Sequence, residues 1–113
     1  MPTRTGSGVI VVVEDPFVRN FLRTLLERQG YKVVSGEVPH GLAALRDGGQ
    51  KVRLLITNVP AAFTEFADRV PLLYLAALPD PNLASVYRSS RVLSKPFRPA
   101  DLLVLVQELL QPL

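Results

Sequence analysis

The chain contains no cysteine. Disulfides and thiolate metal sites are therefore excluded, and the composition fits a cytoplasmic protein. No apolar stretch is long enough to span a membrane. Residues 1–8, Met-Pro-Thr-Arg-Thr-Gly-Ser-Gly, are polar and lack the apolar core of a signal peptide. They read as a disordered leader before a single domain, 9–113. Neither G-x-x-x-x-G-K-[ST] nor G-x-G-x-x-G occurs, and the first strand is not followed by a cobalamin-type D-x-H-x-x-G loop. The single histidine, His40, stands beside Gly41 at an expected helix start and reads as a surface residue. It leaves no Ser-His-Asp set, so no catalytic residue is assigned and no enzyme is read. Charge of one sign is also scarce. Thirteen Lys and Arg face ten Asp and Glu, a net +3 with a pI near 9.7. Only Arg88, Arg91, Lys95 and Arg98 stand close together, without interleaved stacking aromatics. This argues against nucleic acid as a partner and for a solvated surface.

What is present is ample for one core: 113 residues, 48% hydrophobic. Five apolar runs alternate with helical patterns. Val9-Ile10-Val11-Val12-Val13 is continuously β-branched, as a strand covered on both faces should be. Asp15 suits an N-cap and Pro16 the first helical position. The first helix then runs to about Gln29 and is expected to bury Phe17, Phe21, Leu22, Leu25 and Leu26, with Gly30 as its stop. Further expected elements are strands at 31–35, 52–57, 72–76 and 91–94, and helices at 40–47, 61–68, 82–89 and from Pro99 onward. Gly48-Gly49 is expected to end the second helix. Only residues 59–70 join the third strand to the fourth, near the minimum for a right-handed crossover, so the third helix must be short. The pattern implies an α/β fold: a three-layer αβα sandwich on a five-stranded parallel sheet, flavodoxin-like, of order 2-1-3-4-5. Sites in such sheets lie at the carboxyl ends of strands one and three, where Glu14, Asp15 and Asn58 fall.

Two segments and their spacing carry a resemblance. VVVEDPFVRNFLRTLLERQGY opens the domain, VLSKPFRPADLLVLV closes it, and LLITN lies between. Together they resemble a response-regulator receiver domain of the chemotaxis type over roughly Val9 to Leu110. The resemblance implies a phosphorelay signalling role in a two-component system. It implies Mg²⁺ held by Glu14 and Asp15, by the residue at 58 and by the main-chain carbonyl of Pro60. It implies that Lys95 neutralises phosphoryl oxygens and that Lys95-Pro96 is a cis bond. Where the family has its phosphoacceptor aspartate, this chain has Asn58. Where it has a switch hydroxyl, this chain has Ala76, and where it has a switch aromatic, Val92. Acceptor, sensor and reporter are all absent, which implies a degenerate pseudo-receiver acting by protein–protein interaction.

With Glu14 and Asp15 ionised and Lys95 protonated, the site carries a formal −1. The expectation is a site that requires no cofactor and binds Mg²⁺ weakly at best, with Lys95 paired to the carboxylates instead. Receivers commonly dimerise or meet partners through helix four, strand five and helix five. Here Arg88, Arg91, Arg98 and Asp101 would rim that face, with Leu103 and Val104 on the last helix. The expected partner is a signalling protein or a second copy. The alternative is a small-molecule or nucleotide-binding module on the same fold, its pocket between strands one and three. Phosphotransfer on another acceptor, such as His40 or Ser94, is a weaker reading.

Overall fold

The computed structural model describes residues 8–47 and 51–111. Residues 1–7 of the leader and the Gly48-Gly49 helix stop lie outside the described residues. The elements alternate as β1 (Val9–Val13), α1 (Pro16–Arg28), β2 (Lys32–Gly36), α2 (Val38–Arg46), β3 (Val52–Thr57), a 3-10 helix η1 (Pro60–Phe66), β4 (Leu72–Ala76), α3 (Pro81–Ala84), β5 (Ser90–Ser94) and α4 (Pro99–Leu110). All four strand pairings are parallel, and the order is β2-β1-β3-β4-β5. The three-layer, flavodoxin-like architecture read from the sequence is the one observed.

Alternation along the strands divides the core in two. Ile10, Val12, Leu54, Ile56, Leu73 and Leu75 pack against Leu22 and Leu26 of α1 and Leu102, Val106 and Leu109 of α4. Val9, Val11, Val13, Leu55, Leu72 and Tyr74 pack on the other face against Phe63, Phe66, Ala67, Val70, Ala84 and Tyr87. The central strand β1 is buried along its whole length, as a parallel strand covered on both faces requires.

Local chemistry sets the helix ends. Asp15 caps α1 by accepting the Val18 N–H on Oδ1 at 3.2 Å, and Pro16 follows it. Gly30, at φ +92°, carries the chain out of α1 where a side chain would be strained. His40 Nδ1 accepts the Glu37 N–H at 3.1 Å and so satisfies a donor at the start of α2.

Four expectations need correction. Phe17 is 83% and Phe21 41% exposed. The stripe of α1 that meets the sheet runs through Val18, Leu22, Leu25 and Leu26, and the two phenylalanines sit on its flank. The third helix is a 3-10 helix from Pro60 to Phe66, broken by non-helical backbone at Phe63. A 3-10 helix rises about 2.0 Å per residue against 1.5 Å for an α-helix, so a short crossover spans more sheet. The fourth helix is a single turn, Pro81–Ala84, rather than 82–89. Ser85 Oγ donates to the Asn82 carbonyl at 2.9 Å, competing with helix continuation, and Tyr87 turns inward to the core. The second helix starts at Val38 and ends at Arg46, two residues earlier than expected at its start and one at its end.

Candidate functional site

The ends of β1, β3 and β5 bring together Glu14, Asp15, Asn58 and Lys95. The strands end there for identifiable reasons. Asp15 leaves the sheet to cap α1. After β3, the buried Thr57 hydroxyl accepts the Val59 N–H at 3.1 Å, which turns the chain away at Asn58. After β5, the Lys95 N–H donates to the Ala76 carbonyl at 2.9 Å, and the Lys95-Pro96 bond is cis.

Lys95 Nζ donates to Glu14 Oε1 at 3.0 Å and lies 3.8 Å from Asp15 Oδ2. The contact joins residues 81 apart in the chain. Glu14 is the buried member, its side chain wholly covered, whereas that of Lys95 is 23% exposed. The Asp15 N–H also donates to Glu14 Oε1, at 3.1 Å. The second oxygen, Oε2, is buried and accepts no hydrogen bond from the described residues. Burial pushes the Glu14 carboxyl above its ordinary range, opposed by the hydrogen bond and charge of Lys95. Asn58 is half-buried, and its amide is joined by hydrogen bond to neither Lys95 nor Glu14.

The residues do not fit a divalent metal. A bare buried carboxylate oxygen is the kind of atom a cation would satisfy. Yet the ammonium of Lys95 already occupies the space between the two carboxylates. The Pro60 carbonyl is engaged elsewhere: it accepts the buried Tyr87 hydroxyl at 2.8 Å. Burial raises the Tyr87 hydroxyl pKa to about 12, so it remains a donor across the physiological range. Among the described residues, no three His, Asp or Glu side chains are placed to share a metal ion.

The other positions singled out in the sequence spread over two regions. Ala76 is half-buried beside the β5 loop, and Val92 is 39% exposed on β5. Arg88, Arg91, Arg98 and Asp101 are exposed; Arg91 pairs with Glu108 at 3.2 Å and Arg98 with Asp101 at 3.3 Å. Val104 is 53% exposed, whereas Leu103 is half-buried against the aliphatic core and contributes less to any outer face. Ser94 and His40 are exposed. The sequence reading missed an aromatic surface: Phe21 and Phe97 have ring centroids 6.5 Å apart, with Phe17 one turn away on α1. Val18 carried the missing signal, because it shares the three-and-four spacing of Leu22, Leu25 and Leu26. A cavity of about 150 Å³, lined by Leu45, Val52, Phe66, Arg69 and Val70, lies at the amino end of β3. It is away from the expected ligand pocket and smaller than the ~300 Å³ at which small-molecule sites begin.

No protein-family model matches the chain, and no curated protein matches it by sequence. Solved structures do match. A chemotaxis response regulator of Vibrio cholerae, CheY4, is similar with a TM-score of 0.76 at 20% identity, over 93% of this chain and 99% of that one. A signal receiver domain from an HD domain-containing protein of Pseudomonas fluorescens Pf-5 gives 0.75 at 18%, over 96% and 91%. The receiver domain of the hybrid histidine kinase CckA gives 0.70 at 21%, over 92% and 100%. The fold is therefore that of response-regulator receiver domains. Among the described residues, no helix is long and apolar enough to cross a membrane.

Proposed function

We propose that this chain is a pseudo-receiver: a module of a two-component, phosphorelay signalling system that takes no phosphoryl group at position 58 and works through protein–protein contact. One observation carries the reading. The strand end that would present the acceptor presents the amide of Asn58, while Lys95 is turned onto Glu14. Aspartyl phosphate forms because a carboxylate oxygen is an anionic nucleophile. An amide oxygen is neutral and its lone pair is delocalised into the C–N bond, so it has no equivalent reaction. With Ala76 and Val92 at the switch positions, neither a hydroxyl nor an aromatic ring is available to relay such an event.

The contact surface fits the same reading. Leu83, Val86, Val92 and Val104 are exposed around α3, β5 and α4, with Arg88, Arg91, Arg98 and Asp101 at the rim. Apolar centres with charged rims are the common anatomy of protein interfaces. The partner is a signalling protein or a second copy of the chain, in the cytoplasm, with no cofactor required. Incubation with Mg²⁺ and acetyl phosphate, followed by intact mass measurement, is the test. The expected spectrum is that of the unmodified chain. A stoichiometric phosphoryl adduct would end this reading and direct attention to Ser94 or His40.

A further inference from the structure

We propose that the Lys95 ammonium is the resident cation of the strand-end site and that it closes the site to divalent metal. The proposal deepens the reading above and rests on it, since a site that takes no phosphoryl group has no need of metal to neutralise one. The geometry supports it at each ligand position. Lys95 Nζ stands 3.0 Å from Glu14 and 3.8 Å from Asp15, on the carboxylates that a hard ion would have to share. An ammonium and a divalent ion at that separation repel, so metal entry requires Lys95 to leave. Leaving would give up the 3.0 Å ammonium contact of the fully covered Glu14 side chain, which an incoming ion would have to replace while shedding its own water. The remaining oxygens do not compensate. Asn58 supplies a neutral amide in place of a third carboxylate, and the Pro60 carbonyl is held by Tyr87 at 2.8 Å. Mg²⁺ gives up its water reluctantly and favours anionic oxygen in near-octahedral geometry.

The same geometry dictates what happens when the ammonium is removed. Glu14 Oε2 is already bare, and in Lys95→Met Oε1 would lose its charged partner as well. The variant keeps a long apolar stem but leaves a buried carboxylate beside a half-exposed Asp15 side chain. That arrangement is the one a cation from solution can repair.

Thermal melts in EDTA and in about 10 mM MgCl₂, with sodium chloride matched for ionic strength, test this. The wild-type melting temperature is expected to move by less than about 1 °C, and that of Lys95→Met to rise by several degrees. Should Lys95→Met fail to fold in EDTA, Mg²⁺ is expected to restore it. The double variant Lys95→Met/Glu14→Gln, which removes both charges, is expected to fold and to ignore Mg²⁺. A wild-type rise of several degrees would overturn the assignment, as would a Lys95→Met chain indifferent to Mg²⁺, folded or not. A Mg²⁺-responsive wild type that still takes no phosphoryl group would end the cation assignment and leave the interaction reading standing. An adduct in the mass spectrum would end the reading itself.

Discussion

The two faces of the sheet are covered by different means. On one, α1 and α4 supply 13 and 12 residues of regular helix, and the buried side chains are all aliphatic. On the other, the cover is α2 of nine residues, a 3-10 helix of seven and an α-helix of four. There the buried set includes Phe63, Phe66, Tyr74 and Tyr87. Where backbone cover is short, large aromatic side chains fill the volume. Each aromatic ring buries about 150–250 Å², more than an aliphatic side chain covers, so fewer residues exclude water from the sheet. Tyr87 adds a polar tie, since its hydroxyl fixes the Pro60 carbonyl and links the 3-10 helix to the segment after α3.

The comparison breaks or holds on truncation. Phe63 is fully buried at the middle of the aromatic face, at the kink of the 3-10 helix. Phe63→Ala is expected to cost about 3–5 kcal/mol, and Leu102→Ala on the aliphatic face about 2–5 kcal/mol. Urea denaturation at equilibrium measures both. The expectation is that Phe63→Ala costs the more, because a 3-10 helix with irregular backbone has fewer neighbours able to close the void. Equal or reversed losses would show that the aromatic ring is not compensating for short helices.

A smaller effect is expected at Gly41, the one buried residue of α2. A Cβ there would fall 2.6 Å from Val13 Cγ2 and 3.1 Å from the Phe63 ring. Alanine normally favours a helix, by about 1 kcal/mol over glycine. Here Gly41→Ala is expected to destabilise by about 1–3 kcal/mol, because α2 would have to lift off the sheet. A stabilised Gly41→Ala, by the same denaturation measurement, would show that the short-helix face yields where close packing implies that it cannot.

The fold was legible because parallel strands buried on both faces leave plain apolar runs, as Val9–Val13 and Leu54–Thr57 do. The cap and stop of α1 were legible in Asp15, Pro16 and Gly30. The burial of Phe17 and Phe21 was misread because hydrophobicity alone ranks a phenylalanine above a valine, while the helix turns Val18 to the sheet. The length of the fourth helix was misread because the Ser85 hydroxyl competes with the backbone in a way that apolar spacing does not register. At the site, the four residue positions followed from strand ends. The engagement of Pro60 by Tyr87 did not, since it joins residues 27 apart through a hydroxyl whose direction depends on the shortened helices.

Glu14 offers the smallest effect and sharpens the comparison at its edge. It follows β1 on the register of Ile10 and Val12, at the rim of the aliphatic face, where burial disfavours the charged carboxylate. Its folded-state pKa is raised above the ordinary 4.5, with Lys95 only partly opposing the shift. Between the ordinary and the raised value, the folded chain binds more protons than the unfolded one. Stability from this group therefore falls as pH rises through that window. Glu14→Gln retains an acceptor for Lys95 and removes the charge. Its urea midpoint, relative to wild type, is expected to improve as pH rises above the ordinary carboxylate value of 4.5. If wild type instead gains on the variant as pH rises, the Lys95 pairing and the Asp15 N–H together outweigh desolvation, and the aliphatic rim accommodates the charge.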